Sequence, residues 1–326
     1  MKSPITGGNA TLKREPAELV FRNEKYEYIY SYYVCDDTGE HFTTSELDEV
    51  NIGQVYNQYR VRYGIPFPDE IKKTRSKYGL PAIKMARILG WGDNQYRLYE
   101  NGDVPSQAHG KTLAMIRVPQ FFLDYVENSR NQFEEGEFER IQEKVKSVRI
   151  DQYEIFVKDY VFCNQRVGLT NGYATQSISK LKNIMLYYIQ RFGGVFFTMM
   201  NKLLFYTDFV NYRDYGRGMS GLSYMAIKYG PVPVGYNRAY SIPDIRQRII
   251  YYESGKYGQV IESDLSPDMN TFTEEELATL ENVANRFSKT NAGEISDISH
   301  EEKAWKKYMD TGMLIDFNEA FSLKAL

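Results

Sequence analysis

PDEIKKTRSKYGLPAIKMARILGWGDNQYRLYENGDVPS, residues 68–106, is the stretch on which the reading of the whole chain turns. Asp69 and Glu70 stand where the first turn of a helix favours acids. Ile71, Thr74 and Tyr78 fall at helical spacing, and Gly79 supplies a stop. Pro81 suits the first turn of a second helix, whose apolar stripe is Met85, Ala86 and Leu89 and whose end is Gly90. A third short helix follows, with Asp93 as N-cap and Asn101–Gly102 as its end. Three short helices joined by glycine turns make the pattern of a helix-turn-helix, whose third helix would enter a DNA major groove.

The polar residues of that third helix suit the task. Asn94 and Gln95 can each make paired hydrogen bonds to an adenine edge, and Arg97 can reach guanine or a phosphate. Lys84 and Tyr96 complete the candidate DNA-binding set. Tyr96 and Tyr99, three apart, also fit a reading in which one or both pack inward. Between Arg60 and Lys111 there are ten Lys/Arg and five Asp/Glu, a net of +5, whereas the whole chain is −3. A basic island in an acidic chain is a phosphate-binding footprint. The plainer alternative is a three-helix module that binds only protein.

Size sets the outer bounds. A chain of 326 residues, 42% hydrophobic, has room for two or three domains with real cores. Its 28 tyrosines carry hydroxyls that need partners, which places many at interfaces or half-buried edges. No apolar run is long enough to cross a membrane, and MKSPITGGNA lacks the core of a signal peptide. Cys35 and Cys163 do not make a disulfide framework, so a reducing cytoplasm is the expected setting.

Residues 1–60 read as a small β-rich unit, with FRNEKYEYIYSYYVC dense in β-favouring side chains. A helix capped by Thr44 or Ser45 then leads into the helix-turn-helix, residues 61–118. Residues 119–172 read as a helical connector. There Phe138, Ile141, Val145 and Val148 repeat at three-four-three spacing, either packing on a neighbouring helix or forming the seam of a homodimer. The final domain, 173–326, opens with an amphipathic helix bearing Leu181, Ile184, Met185 and Tyr188 on one stripe. In the second helix, FFTMMNKLLFYTDFVNYRDYG, Leu203, Leu204, Tyr206, Thr207 and Val210 are the candidates for burial. A strand near Tyr224–Lys228 and a rigid turn at Gly230–Pro233 follow, then a capping box of Thr273 and Glu276. The expected fold is thus mainly α with a small β-rich N-terminal unit, an α+β class.

The first hundred residues resemble the MqsA-type antitoxins, in which a small zinc-binding domain precedes a helix-turn-helix related to the Cro/XRE repressors. The family's four cysteine ligands match Ser3, Thr6, Cys35 and Thr38 here. Three thiolates are thus replaced by hydroxyls, which are poor zinc ligands, and a metal-free unit held by its aromatic strands is expected. In GDNQYRLYENGDVPS, Asn94 matches the family's base-reading Asn, while Leu98 stands where the family has Arg. MNKLLFYTDF, the Tyr-Gly of DYGRGMSG, KYGPVPVGY and EISDISHEEKAWKKY resemble the Panacea, or SocA-like, domain over Ser177–Met309.

The Panacea resemblance implies an antitoxin that binds a cognate protein toxin directly. Joined to a helix-turn-helix, it implies operator DNA as a second partner and repression of the chain's own operon. A transcriptional regulator with a sensing C-terminal domain and a proteolytic adaptor are the alternatives. Tyr206, Tyr224 and Tyr229 are the candidate toxin contacts, since aromatic anchors are common at interfaces. No catalytic constellation, cofactor fingerprint or metal-ligand pair stands out. His41, His109 and His300 are far apart, and no GxxxxGK[ST] occurs. His300 beside Ser299 at a helix start reads as structural, and Asp208 with Asp214 as a solvated face.

Overall fold

A computed structural model describes every residue except Ser254 and Lys256. The fold is α+β, with helices outweighing three small antiparallel sheets. The chain divides into two compact units, one built from Met1–Val55 and Tyr153–Leu326, the other from Tyr56–Gln152. The N-terminal hairpin therefore belongs to the same unit as the C-terminal half. The segment expected to connect the two halves belongs to the second unit as far as Gln152.

The first unit opens with β1 (Ala10–Phe21) and β2 (Glu24–Cys35), paired along their full length, and β3 (His41–Phe42) on the far edge of β2. Only Arg22 and Asn23 connect the long strands, both at positive φ (49° and 67°). That backbone suits the twist of a two-residue hairpin turn. Tyr28, Tyr30 and Tyr32 share one face at period two, and Tyr30 stacks on Tyr32 with ring centroids 5.0 Å apart. α1 (Ser45–Tyr63) starts as expected, with Thr44 Oγ1 accepting from Leu47 N. Its Asn51 amide exchanges hydrogen bonds with Ser31 main chain (2.8 and 2.9 Å), and Gln54 does the same with Ile29 (3.0 Å each). These residues, three apart on one helix face, satisfy backbone groups of β2 that β3 is too short to reach.

The second unit contains α2 (Pro68–Tyr78), α3 (Ala82–Ile88), α4 (Gln95–Glu100), α5 (Gln107–Met115), α6 (Pro119–Asn128) and α7 (Glu135–Ser147). Gly79 closes α2 in the left-handed conformation, φ 60°, as its position implied. The expected residues Ile71, Met85, Ala86 and Leu89 meet in one core with Tyr96, Tyr99, Phe122 and Val126. Gly110 in α5 lets Ile65 approach, since a Cβ there would lie 2.6 Å from Ile65 Cγ1. Phe138, Ile141 and Val145 of α7 are buried in the same core. Of the two readings of that stripe, the structure shows the packing helix; the apolar seam is already covered by the unit's own side chains.

The rest of the first unit follows α8 (Gln152–Val161). α9 (Ile178–Phe192) and α10 (Phe197–Tyr215) flank the two-residue β4 (Val195–Phe196). β5 (Tyr224–Ile227) pairs antiparallel with β6 (Gly230–Pro233). The expected Gly-Pro turn is therefore a strand, and the reversal itself falls at Lys228–Tyr229. Its prolines are tolerated because a two-stranded sheet leaves β6 with an open edge. After α11 (Tyr236–Ala239), β7 (Arg246–Tyr251) and β8 (Tyr257–Glu262) form a hairpin that adds to β4 in the order β4–β8–β7. α12 (Glu274–Arg286), α13 (Ala292–His300) and α14 (Lys303–Tyr308) complete the helices, and a 3₁₀ segment spans Phe317–Ser322. Thr273 and Glu276 form the expected capping box.

Candidate functional site

In the second unit, α4 presents the face assigned to DNA. Asn94 and Arg97 are exposed, and Arg97 Nη2 donates to Asn94 Oδ1 at 3.1 Å. Asn94, not Asp93, is the residue flanking α4. Asp93 instead pairs with Arg87 through two 3.0 Å hydrogen bonds, which hold its carboxyl below the usual range. Gln95 is half-buried, and Leu98 is exposed on the same short helix. Lys84 on α3 reaches Glu137 at 2.6 Å, so its charge is locally balanced. The unit as a whole carries sixteen Lys/Arg and thirteen Asp/Glu, a net of +3.

Tyr96 departs from its assignment as a DNA contact. It is fully buried, and its hydroxyl donates to Ile71 O at 3.0 Å. Burial pushes its phenol well above the ordinary range. The side chain therefore holds α4 against α2 and cannot touch a groove. Tyr99 also turns inward, its hydroxyl 2.7 Å from His109 Nδ1, while the His109 ring stacks on Trp91 at 4.2 Å. Of α4's two tyrosines, both serve as the anchor that leaves Asn94 and Arg97 outward.

At the N-terminus, the four positions matched to zinc ligands converge, but around one sulfur. Ser3, Thr38 and Thr6 hydroxyls gather about Cys35 and pull its thiol down to about 6, against the opposing effect of burial. Thr6 Oγ1 lies 3.5 Å from Cys35 Sγ and donates to Asp37 at 2.6 Å. The tight turns survive: Ser3 O accepts from Gly7 N (2.9 Å), and Cys35 O from Gly39 N (2.8 Å). One thiol among hydroxyls does not fit zinc, which needs several thiolate or imidazole donors. Hydrogen bonds close the two turns. Among the described residues, no cluster of three or more His, Cys, Asp or Glu is placed to hold a metal ion.

In the C-terminal half, α10 is buried from Met199 to Tyr212 on every side. Its polar residues are therefore the informative ones. Asp208 is fully buried and accepts from Met219 N (2.7 Å), Ser220 N (2.6 Å), Ser220 Oγ and Tyr224 OH (2.5 Å). Burial raises its carboxyl pKa, and the four donors oppose that rise. The residue is thus no part of a solvated face: it ties α10 to the loop before β5. Asp214 pairs with its neighbour Arg213 at 2.6 Å.

Six residues before Asp208, Lys202 is also fully buried, and burial lowers its ammonium to about 7. Its Nζ donates to Pro231 O at 2.8 Å. Gly230 makes room: a Cβ there would fall 2.5 Å from Ser299 Oγ and 2.7 Å from Lys202 Nζ. The Gly-Pro-Val-Pro stretch thus supplies a strand carbonyl and a missing side chain to a buried lysine. His300 sits at the end of α13 rather than at a helix start, stacked on Trp305 at 4.2 Å. Desolvation first, and Lys202 second, depress its pKa.

The tyrosines named as toxin contacts divide. Tyr206 and Tyr224 are fully buried, Tyr206 donating to Glu302 Oε1 at 3.3 Å and Tyr224 to Asp208. Their role is in the core, where the hydroxyls satisfy buried carboxylates. Tyr229 lies at the β5–β6 reversal and is 66% exposed. Sequence reading missed the β7–β8 hairpin, which carries Tyr251 (77% exposed) and Tyr257 (68% exposed). The signal was present in RQRIIYYESGKYGQVIE, two β-favouring runs around a glycine.

No helix among the described residues is long and apolar enough to cross a membrane. No curated protein and no solved structure matches the chain. Residues 200–306, from the first turn of α10 into α14, match the family model described as Antitoxin SocA-like, Panacea domain, so the resemblance of the C-terminal half to that domain holds over this stretch.

Proposed function

We propose that the chain is the antitoxin of a type II toxin–antitoxin pair, neutralising a cognate protein toxin by direct binding through its C-terminal half. The observation that carries this reading is the Panacea match over residues 200–306. The packing supports a binding role: Asp208, Lys202 and Tyr206 of α10 are tied up in internal hydrogen bonds, while large aromatics stand exposed elsewhere in the unit. Tyr229, Tyr251 and Tyr257 are the proposed anchors for the toxin, because exposed aromatics bury much area at small entropic cost. Neutralisation in this reading is sequestration, with no enzymatic step and no cofactor.

The second half of the proposal is autorepression, in which α4 enters operator DNA with Asn94, Gln95 and Arg97 toward the groove. The exposed Asn94–Arg97 pair above two buried tyrosines supports it. Co-expression tests the whole. The chain rescues growth against the product of the adjacent gene, and the two purified proteins co-elute. A chain that binds its promoter but neither rescues nor co-elutes is a plain regulator. One that rescues only in a host with an intact protease set is an adaptor.

A further inference from the structure

The reversal between β5 and β6 consists of Lys228 and Tyr229, and its backbone is fastened from three helices at once. Trp305 Nε1 of α14 donates to Ile227 O at 2.7 Å, Ser296 Oγ of α13 to Tyr229 O at 3.1 Å, and Lys202 Nζ of α10 to Pro231 O at 2.8 Å. Alternate carbonyls, those of residues 227, 229 and 231, are thus each held by a side chain. The holders are themselves fixed. The Trp305 ring stacks on His300 at 4.2 Å, Lys202 is fully buried, and Ser296 O accepts from Ser299 Oγ at 2.7 Å. Gly230 has φ 97°, and a Cβ there would meet Ser299 Oγ at 2.5 Å, so both conformation and space keep the position for glycine.

This anchorage presents Tyr229. Its side chain is 66% exposed, and Lys228 beside it is exposed too. Surface turns are ordinarily among the mobile parts of a fold. Here a large ring stands in water on a backbone with three side-chain fastenings, none of which uses the ring. Capturing a ring on a fixed backbone immobilises little more than the ring's own two torsions. A ring that projects from a turn also gains most when a pocket closes around it.

We propose that Tyr229 is the leading contact of the C-terminal half, inserted into an apolar pocket of the partner protein, and that Lys202, Ser296 and Trp305 are positioning residues that hold its backbone in place for that insertion. The proposal deepens the neutralisation reading, on which the identity of the partner rests. The fastening of the turn is also tested without any partner.

Affinity for the product of the adjacent gene is measured calorimetrically with the full chain and with Y229A, S296A, S296T, S296A/W305F and the triple variant Y229A/S296A/W305F. Phenylalanine at 305 keeps an aromatic ring against His300 and removes the indole N–H. Y229A is expected to weaken binding at least about tenfold, and S296A/W305F at least about fivefold with Tyr229 intact. S296T, which restores the hydroxyl, is expected to bind within about twofold of wild type, unlike S296A. In the triple variant the two clasp substitutions add no further loss to that of Y229A, because they act through that ring. A clasp effect of the same size with or without Tyr229 marks a general structural loss and overturns the proposal. Full affinity in Y229A, or in a folded S296A/W305F, overturns it too.

Trypsin cleavage after Lys228, mapped by mass spectrometry, reads the turn alone. Wild type is expected to resist at that bond, and S296A/W305F to be cut there at least about fivefold faster. If S296A/W305F does not fold, S296A alone carries both measurements. Wild type cut after Lys228 as fast as the variant overturns the proposal. A wild-type chain that binds no product of the adjacent gene fails the antitoxin reading itself. Co-elution of wild type with that product, together with full affinity in Y229A, sinks the anchor and leaves the antitoxin reading standing.

Discussion

α10 and α4 put polar side chains to opposite uses. α10 is a 19-residue helix enclosed on all sides, so each polar group on it has to find a protein partner. α4 has six residues, buries two tyrosines, and leaves its polar face to solvent. On the long helix, polarity fixes the fold; on the short one it is left to solvent. The difference lies in burial, since Asp, Asn and Arg occur on or beside both helices. A substitution on α10 should therefore be read out as stability, and one on the outer face of α4 as affinity.

The sharpest way to break this contrast is Asp208→Ala. It strips the acceptor from four buried donors that join α10 to Met219, Ser220 and Tyr224. The expected loss is roughly 3–5 kcal/mol, because buried donors are left unmet. Asp208→Asn keeps the shape, and its amide can donate to the Ser220 and Tyr224 oxygens, so about 1–2 kcal/mol is expected. Urea unfolding of both variants checks the pair. Equal, small losses would mean that α10 tolerates polar vacancies as a surface helix does.

Lys202 gives a second test through pH. Burial brings its folded pKa down to about 7 from an ordinary 10.5. Between those values the unfolded chain binds more protons than the folded one, so the Lys202 contribution to stability improves as pH rises. Below about 7 the folded protein bears the full cost of a buried ammonium. Wild type relative to Lys202→Met is therefore expected to gain about 2 kcal/mol between pH 6.5 and pH 9. Denaturant midpoints at the two pH values measure it. A difference that stays flat would show that water reaches the ammonium.

These two helices also mark how far the sequence could be read. The three helices within residues 68–106 were legible because their apolar residues recur at helical spacing and a glycine follows each one. In α10 periodicity fails as a guide: with both faces covered, no stripe separates inside from outside. Tyr224 thus passed for a surface anchor and Asp208 for a solvated acid, while Tyr206 was read both as buried and as a toxin contact, and only the first holds. In KYGPVPVGY the prolines argued for a turn, whereas Pro231 lends its carbonyl to Lys202 from within a strand. Nothing local in the sequence says that a lysine 29 residues earlier needs that carbonyl. Cys35 is the reverse case. The resemblance that singled out Ser3, Thr6, Cys35 and Thr38 pointed to residues that do converge, although their chemistry is hydrogen bonding to sulfur.

The smallest expected effect on stability is on the outer face of α4, where the proposed operator contacts lie. Tyr96→Phe removes only the hydroxyl bonded to Ile71 O, an expected cost of about 1 kcal/mol with groove contacts untouched. Asn94→Ala with Arg97→Ala removes an exposed pair bonded to each other at 3.1 Å, and stability should move by no more than about 0.5 kcal/mol. If α4 reads DNA, the same double variant loses at least about tenfold in operator affinity, since a single good base contact is worth ~1–3 kcal/mol. Rescue from toxicity should persist, because neither residue belongs to the C-terminal half. Operator titrations of the double variant and of Tyr96→Phe at matched salt separate the cases. Undiminished affinity in the double variant would take α4 out of the groove. Weak binding by a well-folded Tyr96→Phe would mean that the buried hydroxyl sets the angle at which α4 is presented.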